Sequence, residues 1–299
     1  MREAVCVWDV HPSHPTFEHW FPPPKPVWSL GRQRRQAATQ ATPTSLVWVA
    51  RGGVTMKTLL DSDGVTLTDS EDGLLTLRLD RGQNVINPPM NSALEHAISH
   101  VEAAEHPKSL VILGGPKFFS NGLDVTWMMN NSSETPDMIQ TFWRVLARLL
   151  VLDCRTVAAI SGHAYGAGIF LALACDWRVM RTERGFVNFP ELNLGMRLSK
   201  PFAELSKAKL SPSTLREGVL AGRRYDSVAA VAAGLVDAEC PVEALPAEAE
   251  KLARAGLPTA MKLLRFDPEA FSTMKVELYT DAWRALTTGL HTTAPDSKL

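Results

Sequence analysis

The pattern of apolar and polar residues becomes regular at about residue 64 and then alternates between two periods. Residues 65–68 and 75–79 alternate apolar and polar side chains, and the polar segment 69–73 between them predicts the turn of a β-hairpin. Residues 91–104 instead place apolar side chains three and four residues apart. That spacing predicts an amphipathic helix with Asn91 as its N-cap.

Short apolar segments and helical segments then follow one another along the chain. Buried strands are predicted at 110–113, 157–160 and 177–180, and helices at 136–150 and 167–175. Such alternation is typical of a layered α/β core. After Pro201 the chain is predicted to be mostly helical. Helices around 248–254 and 275–290 are expected to cover the core and to form an interface.

The first 55 residues lack this regular pattern. They contain seven of the 20 prolines and four of the eight tryptophans. This composition predicts a disordered arm or a mistaken extension of the gene model. The alternative is an organelle transit peptide, because the segment is Arg-rich and acid-poor. We therefore divide the chain into this extension (1–55), a core (56–265), a C-terminal helical region (266–290) and an exposed tail (291–299).

Composition limits the classes of function. Of the 299 residues, 45% are hydrophobic and 21% are charged, and the formal net charge is −1, which gives no support for nucleic-acid binding. No apolar run approaches the roughly 18 residues of a membrane-spanning helix. The cysteines at positions 6, 154, 175 and 240 lack metal-ligand spacing. We expect no metal site and reduced, buried thiols, with a disulfide as the alternative.

Two glycine-containing turns and one carboxylate are candidates for chemistry. Segments 114–122 and 162–168 each follow a predicted strand, so the backbone amides of Leu123 and Ala167 are candidate donors to an oxyanion. Close packing of backbone elements explains either turn when it is considered alone. Glu191 lies in the apolar segment 189–192, where burial would raise its pKa and strengthen it as a base. The alternative interpretation is that Glu191 is an ordinary loop carboxylate exposed to solvent.

These segments belong to a longer series of motifs that resembles the crotonase superfamily, the enoyl-CoA hydratases and isomerases. The resemblance covers about residues 65–265, and it is greatest to plant-type peroxisomal Δ3,Δ2-enoyl-CoA isomerases. The matching segments are residues 117–124, 162–164, 171–176, 180–185, 217–222 and 233–237.

The resemblance implies an α/β fold, with a crotonase-type ββα spiral core and a helical C-terminal region. It implies an oxyanion hole made by the backbone amides of Leu123 and Ala167, with Glu191 as the single catalytic acid/base. It also implies an acyl-CoA substrate, no cofactor beyond the CoA of that substrate, and a homotrimer or hexamer. The residues implied to bind substrate are Asn121, Gly122, Asp124, Val125, Gly166, Phe170 and Pro190.

The same resemblance favours an isomerase over a hydratase. The hydratases of the superfamily use two glutamates, and the position of the first is Phe170 here, which cannot transfer a proton. The further acidic positions of the dienoyl-CoA isomerases fall on Phe170 and Ser199, so that activity is disfavoured too. We expect conversion of 3-enoyl-CoA to trans-2-enoyl-CoA in fatty-acid β-oxidation. A 2-enoyl-CoA hydratase and a catalytically silent acyl-CoA-binding homologue are the alternatives.

Some residues near these motifs leave alternatives open. Arg197 and Lys200 depart from the plant-type pattern, and a cation beside Glu191 would lower its pKa and weaken it as a base. If Arg197 and Lys200 instead face solvent or a CoA phosphate, they would leave the pKa of Glu191 unchanged. His163 is a second candidate base, although a structural role is expected. Residues 127–129 are expected to line either the acyl pocket or the core.

The chain ends in Ser297-Lys298-Leu299, the peroxisomal import tripeptide, which a receptor reads when it is terminal and accessible. Residues 292–296 are polar and include a proline, so an exposed tail is predicted. The tripeptide predicts a peroxisomal matrix protein with the import receptor as a partner. It argues against a functional transit peptide at the other end.

Overall fold

A computed structural model describes residues 56–70 and 72–289 of the chain. The predicted extension 1–55 and the tail with its terminal tripeptide lie outside the described residues. The strands of the described part are β1 Met56–Ser62, β2 Val65–Ser70, β3 Leu74–Leu79, β4 Ser109–Leu113, β5 Phe118–Ser120, β6 Arg155–Ile160, β7 His163–Tyr165, β8 Trp177–Arg181, β9 Val187–Asn188, β10 Arg224–Tyr225 and β11 Ala238–Cys240.

The helices of the described part alternate with these strands and then dominate the C-terminal third. They are α1 Pro88–Ala103, α2 Val125–Asn130, α3 Thr135–Leu150, α4 Ala167–Leu173, α5 Lys200–Lys209, α6 Pro212–Leu215, α7 Ser227–Ala232, α8 Leu245–Arg254, α9 Pro268–Leu278 and α10 Thr280–Thr288. A 3₁₀ turn spans Leu192–Leu194 and a π-helical turn spans Arg216–Leu220. The predicted layered α/β order is confirmed.

Two sheets organise the core. The larger has the strand order β1-β2-β3-β4-β6-β8-β11, antiparallel from β1 to β3 and parallel from β3 to β11. The predicted hairpin is confirmed, with Leu67 of β2 opposite Leu77 of β3. The smaller sheet has the order β10-β9-β7-β5, in which β5, β7 and β9 are parallel. Its strands lead directly into the candidate site.

The predicted N-cap of the first helix is wrong. Asn87 caps α1, because its side-chain oxygen accepts a hydrogen bond from the Met90 amide at 3.1 Å, and prolines at 88 and 89 form the first turn. Asn91 lies inside the helix and is buried. Its Nδ2 donates to the Met138 carbonyl of α3 at 2.8 Å, so its role is to join two helices.

The C-terminal helices pack on the core, and the single helix predicted at 275–290 is interrupted at Tyr279, where α9 ends and α10 begins. Ala282 and Leu286 of α10 are buried in the main core cluster. Among the described cysteines, Cys154, Cys175 and Cys240 are buried and free, as expected for reduced thiols, whereas Cys6 lies outside the described residues.

Candidate active site

The first glycine turn follows β5 and is fixed by a bridge to the segment before α1. The Ile86 amide donates to the Gly122 carbonyl at 2.8 Å, and the Asp124 amide donates to the Ile86 carbonyl at 2.9 Å. In a parallel bridge, the residue between these two partners directs its own N–H and C=O to the opposite side. The Leu123 amide therefore points away from the bridge.

The second glycine turn connects β7 to α4. Gly166 has a φ of +48°, a conformation that side chains rarely adopt, and its amide donates to the Asn188 carbonyl at 3.2 Å. Ala167 is the first residue of α4, so its amide has no partner within the helix and lies at the positive end of the helix dipole. A second amide is thus free to donate to a ligand.

The two turns touch each other. A Cβ atom built on Gly122 would lie 2.8 Å from the Tyr165 carbonyl oxygen and 3.2 Å from the Ala167 amide nitrogen. Likewise, a Cβ on Gly168 would lie 2.3 Å from the Ser120 carbonyl oxygen. Glycine at both positions therefore permits a backbone contact that brings the segment of Leu123 against the start of α4.

Glu191 reaches the same place from the loop after β9. A Cβ on Gly166 would lie 4.0 Å from Glu191 Oε1 and 3.6 Å from the Pro190 ring. The Met196 amide donates to the Glu191 carbonyl at 2.8 Å, which closes the backbone turn around this residue. The carboxylate is therefore next to the residue that precedes the Ala167 amide.

The Glu191 carboxyl is desolvated. Burial raises its pKa above the ordinary value of 4.5, and a hydrogen bond from its own backbone amide opposes this only in part. Its Oε2 atom is buried and has no hydrogen-bond partner among the described residues. The raised pKa strengthens this carboxyl as a base that can accept and return a proton.

Arg197 and Lys200 lie close to Glu191 in the sequence, but neither is among the groups that shift its pKa. Lys200 forms an ion pair with Glu204 of α5, which Lys207 also contacts, at 2.8 Å. Arg197 is exposed. The carboxyl therefore keeps its raised pKa in spite of these neighbours in sequence.

The residues predicted to bind substrate on the first turn have different surroundings. Asn121 Nδ2 donates to Gln83 Oε1 at 2.7 Å. Asp124 is the N-cap of α2, since its Oδ1 accepts from the Trp127 amide at 3.0 Å, and its Oδ2 accepts from Asn87 Nδ2 at 2.9 Å. Its carboxylate is thus engaged within the protein. Val125 is exposed beside it, and Trp127 and Met128 pack partly against the core while Met129 is exposed.

Phe170 lies in an aromatic cluster. It is fully buried, its ring stacks on Phe202 with centroids 4.1 Å apart, and Phe189 packs edge-on at 5.6 Å. The structure therefore places Phe170 in the core, where its ring has no open surface. Ser199, the other position compared with the dienoyl-CoA isomerases, precedes α5, and its hydroxyl oxygen is buried without a hydrogen-bond partner among the described residues.

His163 lies among aromatic rings of the small sheet. Its ring is 4.9 Å from Tyr165, 5.4 Å from Phe118 and 5.9 Å from Phe186, measured between centroids. Burial lowers its pKa, and the nearby cations Arg184, Lys117 and Arg224 lower it further. This packing agrees with the structural role expected for His163.

The segment of residues 84–87, which was not among the residues predicted for the site, supports the first turn. Asn84 is fully buried, and its Nδ2 donates to the carbonyls of Phe118 and Phe119 at 3.1 Å each. Its own carbonyl accepts from the Ser120 hydroxyl at 2.7 Å. Two asparagines before two prolines, placed between a strand and a helix, were the signal that could have identified it.

Residues 56–70 and 72–289 contain no group of three or more His, Cys, Asp or Glu side chains placed to hold a metal ion. No helix within these residues is both long and apolar enough to cross a membrane.

Comparisons with known proteins agree with this architecture. The family model of enoyl-CoA hydratase/isomerase matches residues 69–295. Enoyl-CoA delta isomerase 2, peroxisomal, of Arabidopsis thaliana is 34% identical over 172 residues, which are 55% of this chain and 71% of that protein. A probable enoyl-CoA hydratase of Mycobacterium tuberculosis is 32% identical over 185 residues, 59% of this chain and 66% of that protein.

Solved structures give the same picture. The apo structure of an Mtb enoyl-CoA isomerase has a TM-score of 0.66 and 26% identity, and the match covers 76% of this chain and 96% of that one. An enoyl-CoA hydratase from Mycobacterium marinum has a TM-score of 0.66 and 28% identity with the same coverage. The predicted crotonase-type fold and the resemblance on which it was based are confirmed.

Proposed function

Because this chain belongs to the enoyl-CoA hydratase/isomerase family, we propose that it is a Δ3,Δ2-enoyl-CoA isomerase, which converts 3-enoyl-CoA to trans-2-enoyl-CoA in fatty-acid β-oxidation. The observation behind the proposal is the desolvated carboxyl of Glu191 next to Gly166, in the second of two touching glycine turns. Isomerisation needs one group that transfers a proton and one site that stabilises an enolate.

In the proposed mechanism, the thioester oxygen accepts hydrogen bonds from the Leu123 and Ala167 amides. Glu191 removes a proton from C2, the negative charge spreads onto the thioester oxygen, and Glu191 returns the proton at C4. Atoms and electrons balance without any oxidant, so no cofactor is proposed beyond the CoA of the substrate. Loss of one such amide donor typically costs about 3–4 kcal/mol of barrier.

The surroundings of Phe170 favour isomerase over hydratase. A hydratase must activate water and also protonate carbon, which is easier with a second acidic group. Phe170 is packed between Phe189 and Phe202 and supplies no such group. Since the relatives include proteins named as hydratases, 2-enoyl-CoA hydratase is the alternative activity that an assay must test.

The assay begins with purified protein and 3-cis-hexenoyl-CoA, with identification of the product. We expect trans-2-hexenoyl-CoA, seen as a rise in the absorbance of the conjugated thioester, and loss of that activity in Glu191→Gln. In a second assay, trans-2-hexenoyl-CoA should persist, because hydration would remove the conjugated absorbance. Rapid hydration with no isomerisation would replace our proposal by the hydratase.

A catalytically silent acyl-CoA-binding protein is the alternative from another class. Arg197 and Lys200 supported this alternative, because a cation beside Glu191 would weaken it as a base. However, Lys200 pairs with Glu204, and neither cation lowers the pKa of Glu191. Binding of acyl-CoA with no turnover, unchanged in Glu191→Gln, is the result that would favour it.

We also propose a peroxisomal location. The support is the terminal tripeptide together with relatives whose names include the word peroxisomal. Deleting Leu299 from a tagged full-length chain should leave the protein in the cytosol, with the tag at the N-terminus so that the tail stays free. Continued import of the shortened chain would contradict the role of the tripeptide.

A homotrimer or hexamer is proposed from the same family resemblance. Large apolar side chains are exposed on the isolated chain around α9, namely Leu263, Leu264, Met274 and Leu278. Burial of this surface between copies would account for them. Light scattering of the purified protein should give three or six times the mass of one chain, and a monomer would contradict the proposal.

A further inference from the structure

The loop that bears Glu191 is attached on both sides to one distant turn. Asn188, three residues before Glu191, donates through Nδ2 to the carbonyls of Gly222 at 3.1 Å and Arg223 at 3.2 Å. Asn193, two residues after Glu191, donates through Nδ2 to the same Gly222 carbonyl at 3.4 Å. The catalytic candidate therefore lies between two asparagines that share an acceptor.

The attachment extends to the amide side of the site. The Asn188 carbonyl accepts from the Gly166 amide at 3.2 Å, one residue before the proposed donor Ala167. The side chain of Asn188 is buried, and Arg224 of β10 pairs with Asn188 of β9 just beyond the turn. The same residue thus contacts both the turn at 222–223 and the turn that presents the Ala167 amide.

We propose that Asn188, Asn193 and the Gly222–Arg223 turn are positioning residues that hold the Glu191 carboxyl in its desolvated place relative to the Ala167 amide. The inference rests on the proposed function of Glu191. No other described hydrogen bond joins a side chain of loop 189–195 to the rest of the fold. Since misplacement by about 1 Å can cost on the order of 10²-fold in rate, this attachment has a catalytic consequence.

Gly222 offers a test with a matched control. Gly222 and Gly234 have similar backbone conformations, with φ of +61° and +70°. A Cβ on Gly222 would lie 2.8 Å from Asn193 Nδ2 and displace that side chain, whereas a Cβ on Gly234 would meet nothing within 4 Å. Gly222→Ala and Gly234→Ala therefore share the backbone strain, and only the first disturbs the attachment.

The experiment compares Asn193→Ala, Gly222→Ala and Gly234→Ala by kcat, KM and the pH dependence of kcat/KM. We expect the first two to lower kcat about 10- to 100-fold with KM within about twofold. Their acidic limb should move to lower pH, because water that enters around a loosened loop lowers the pKa of Glu191. Gly234→Ala should lower the melting temperature through the shared backbone strain alone and keep wild-type kcat and pH profile.

Two outcomes would overturn the inference: wild-type kcat and pH profile in both Asn193→Ala and Gly222→Ala, or equal losses in Gly234→Ala. Failure of the proposed function is a separate result, namely no isomerisation by the wild type. In that case the inference is judged by hydrogen exchange of residues 188–196 and by the pKa of carbon-13-labelled Glu191. We expect faster amide exchange in residues 188–196 and a lower pKa of Glu191 in Asn193→Ala and Gly222→Ala, but not in Gly234→Ala. Unchanged values in the first two variants would contradict the inference.

Discussion

The Glu191 side chain combines two properties that oppose each other within a single residue. Desolvation of a carboxyl whose Oε2 has no hydrogen-bond partner among the described residues raises its pKa, which strengthens it as a base, and the same desolvation destabilises the fold whenever the carboxyl is ionised. Functional carboxyls are often placed in this way, at some expense of stability. The conflict makes the residue testable by stability as well as by activity.

The first prediction concerns Glu191→Gln. The folded protein holds the Glu191 proton above its ordinary pKa of 4.5, so wild-type stability falls as the pH rises from 4.5 through the raised pKa. The glutamine variant has no ionisable group at this position, so this pH-dependent loss of stability is absent. We expect its melting temperature to equal that of the wild type at acidic pH and to exceed it at about pH 8, while the isomerisation rate falls by about 10² or more.

Calorimetry at a series of pH values tests the stability part of this prediction independently of substrate. A melting-temperature difference that does not change with pH would mean that the carboxyl is not desolvated in solution.

The second prediction concerns Gly122, whose missing side chain allows the two turns to touch. In Gly122→Ala, the new Cβ would press on the Tyr165 carbonyl and on the Ala167 amide nitrogen. We expect kcat to fall by about 10²-fold, comparable to the loss of one oxyanion donor. Gly234→Ala is the control for backbone strain, which costs about 1–2 kcal/mol in either variant. Equal kcat values for the two variants would contradict the proposed contact.

At the scale of elements, two helices begin where the turns end. α2 starts after Asp124 and α4 starts at Ala167, so each helix start fixes the orientation of the backbone beside it. Asp124 also joins α2 to α1, because it caps α2 and its Oδ2 accepts a hydrogen bond from Asn87, the cap of α1. The geometry of the first turn therefore depends on how these helices are capped.

The third prediction compares two N-cap aspartates. Asp226 caps α7 through a hydrogen bond from the Ala229 amide at 2.9 Å, much as Asp124 caps α2. Replacing either by Ala should cost about 1 kcal/mol of the free energy of unfolding, measured with urea. Only Asp124→Ala should also lower kcat, by about tenfold, because it frees the backbone next to Leu123. An unchanged kcat in Asp124→Ala would show that the capping of α2 does not affect catalysis.

At the scale of the whole molecule, the C-terminal helices are attached through a buried cation. Lys275 of α9 donates to Asp176 at 2.7 Å and to the Cys154 carbonyl at 2.9 Å. Asp176 in turn accepts from the Thr156 amide of β6 at 2.9 Å. The helix is thereby joined to the starts of the neighbouring strands β6 and β8, while Met274 and Leu278 of α9 are exposed.

The fourth prediction is that Lys275→Ala lowers the free energy of unfolding by about 3–5 kcal/mol, because it leaves Asp176 without its buried partner. Lys251→Ala removes an exposed ion pair with Glu248 in α8 and should change the same quantity by less than about 1 kcal/mol. Urea denaturation measures both. Similar values for the two variants would mean that α9 is not held by this contact.

Much of the fold was predictable because local periodicity reports local structure. The alternation at 65–68 and 75–79 identified the hairpin, and the helical spacing near 91 identified α1 to within a few residues. The N-cap was misplaced by four residues. Periodicity shows which face of a helix is buried but does not locate its first residue. The prolines after Asn87 mark the first turn, whereas Asn91 lies opposite Met138 of α3.

The sequence by itself determined the order of elements and the two glycine turns, since each depends on residue type and short-range spacing. It pointed to Glu191 only through the resemblance to the family. Only the tertiary structure decided that the turns touch and that the Gly222 carbonyl accepts from residues on both sides of Glu191. These contacts join residues up to 45 positions apart, from Gly122 to Ala167, and no local pattern records the distance between segments that meet only when the chain is folded.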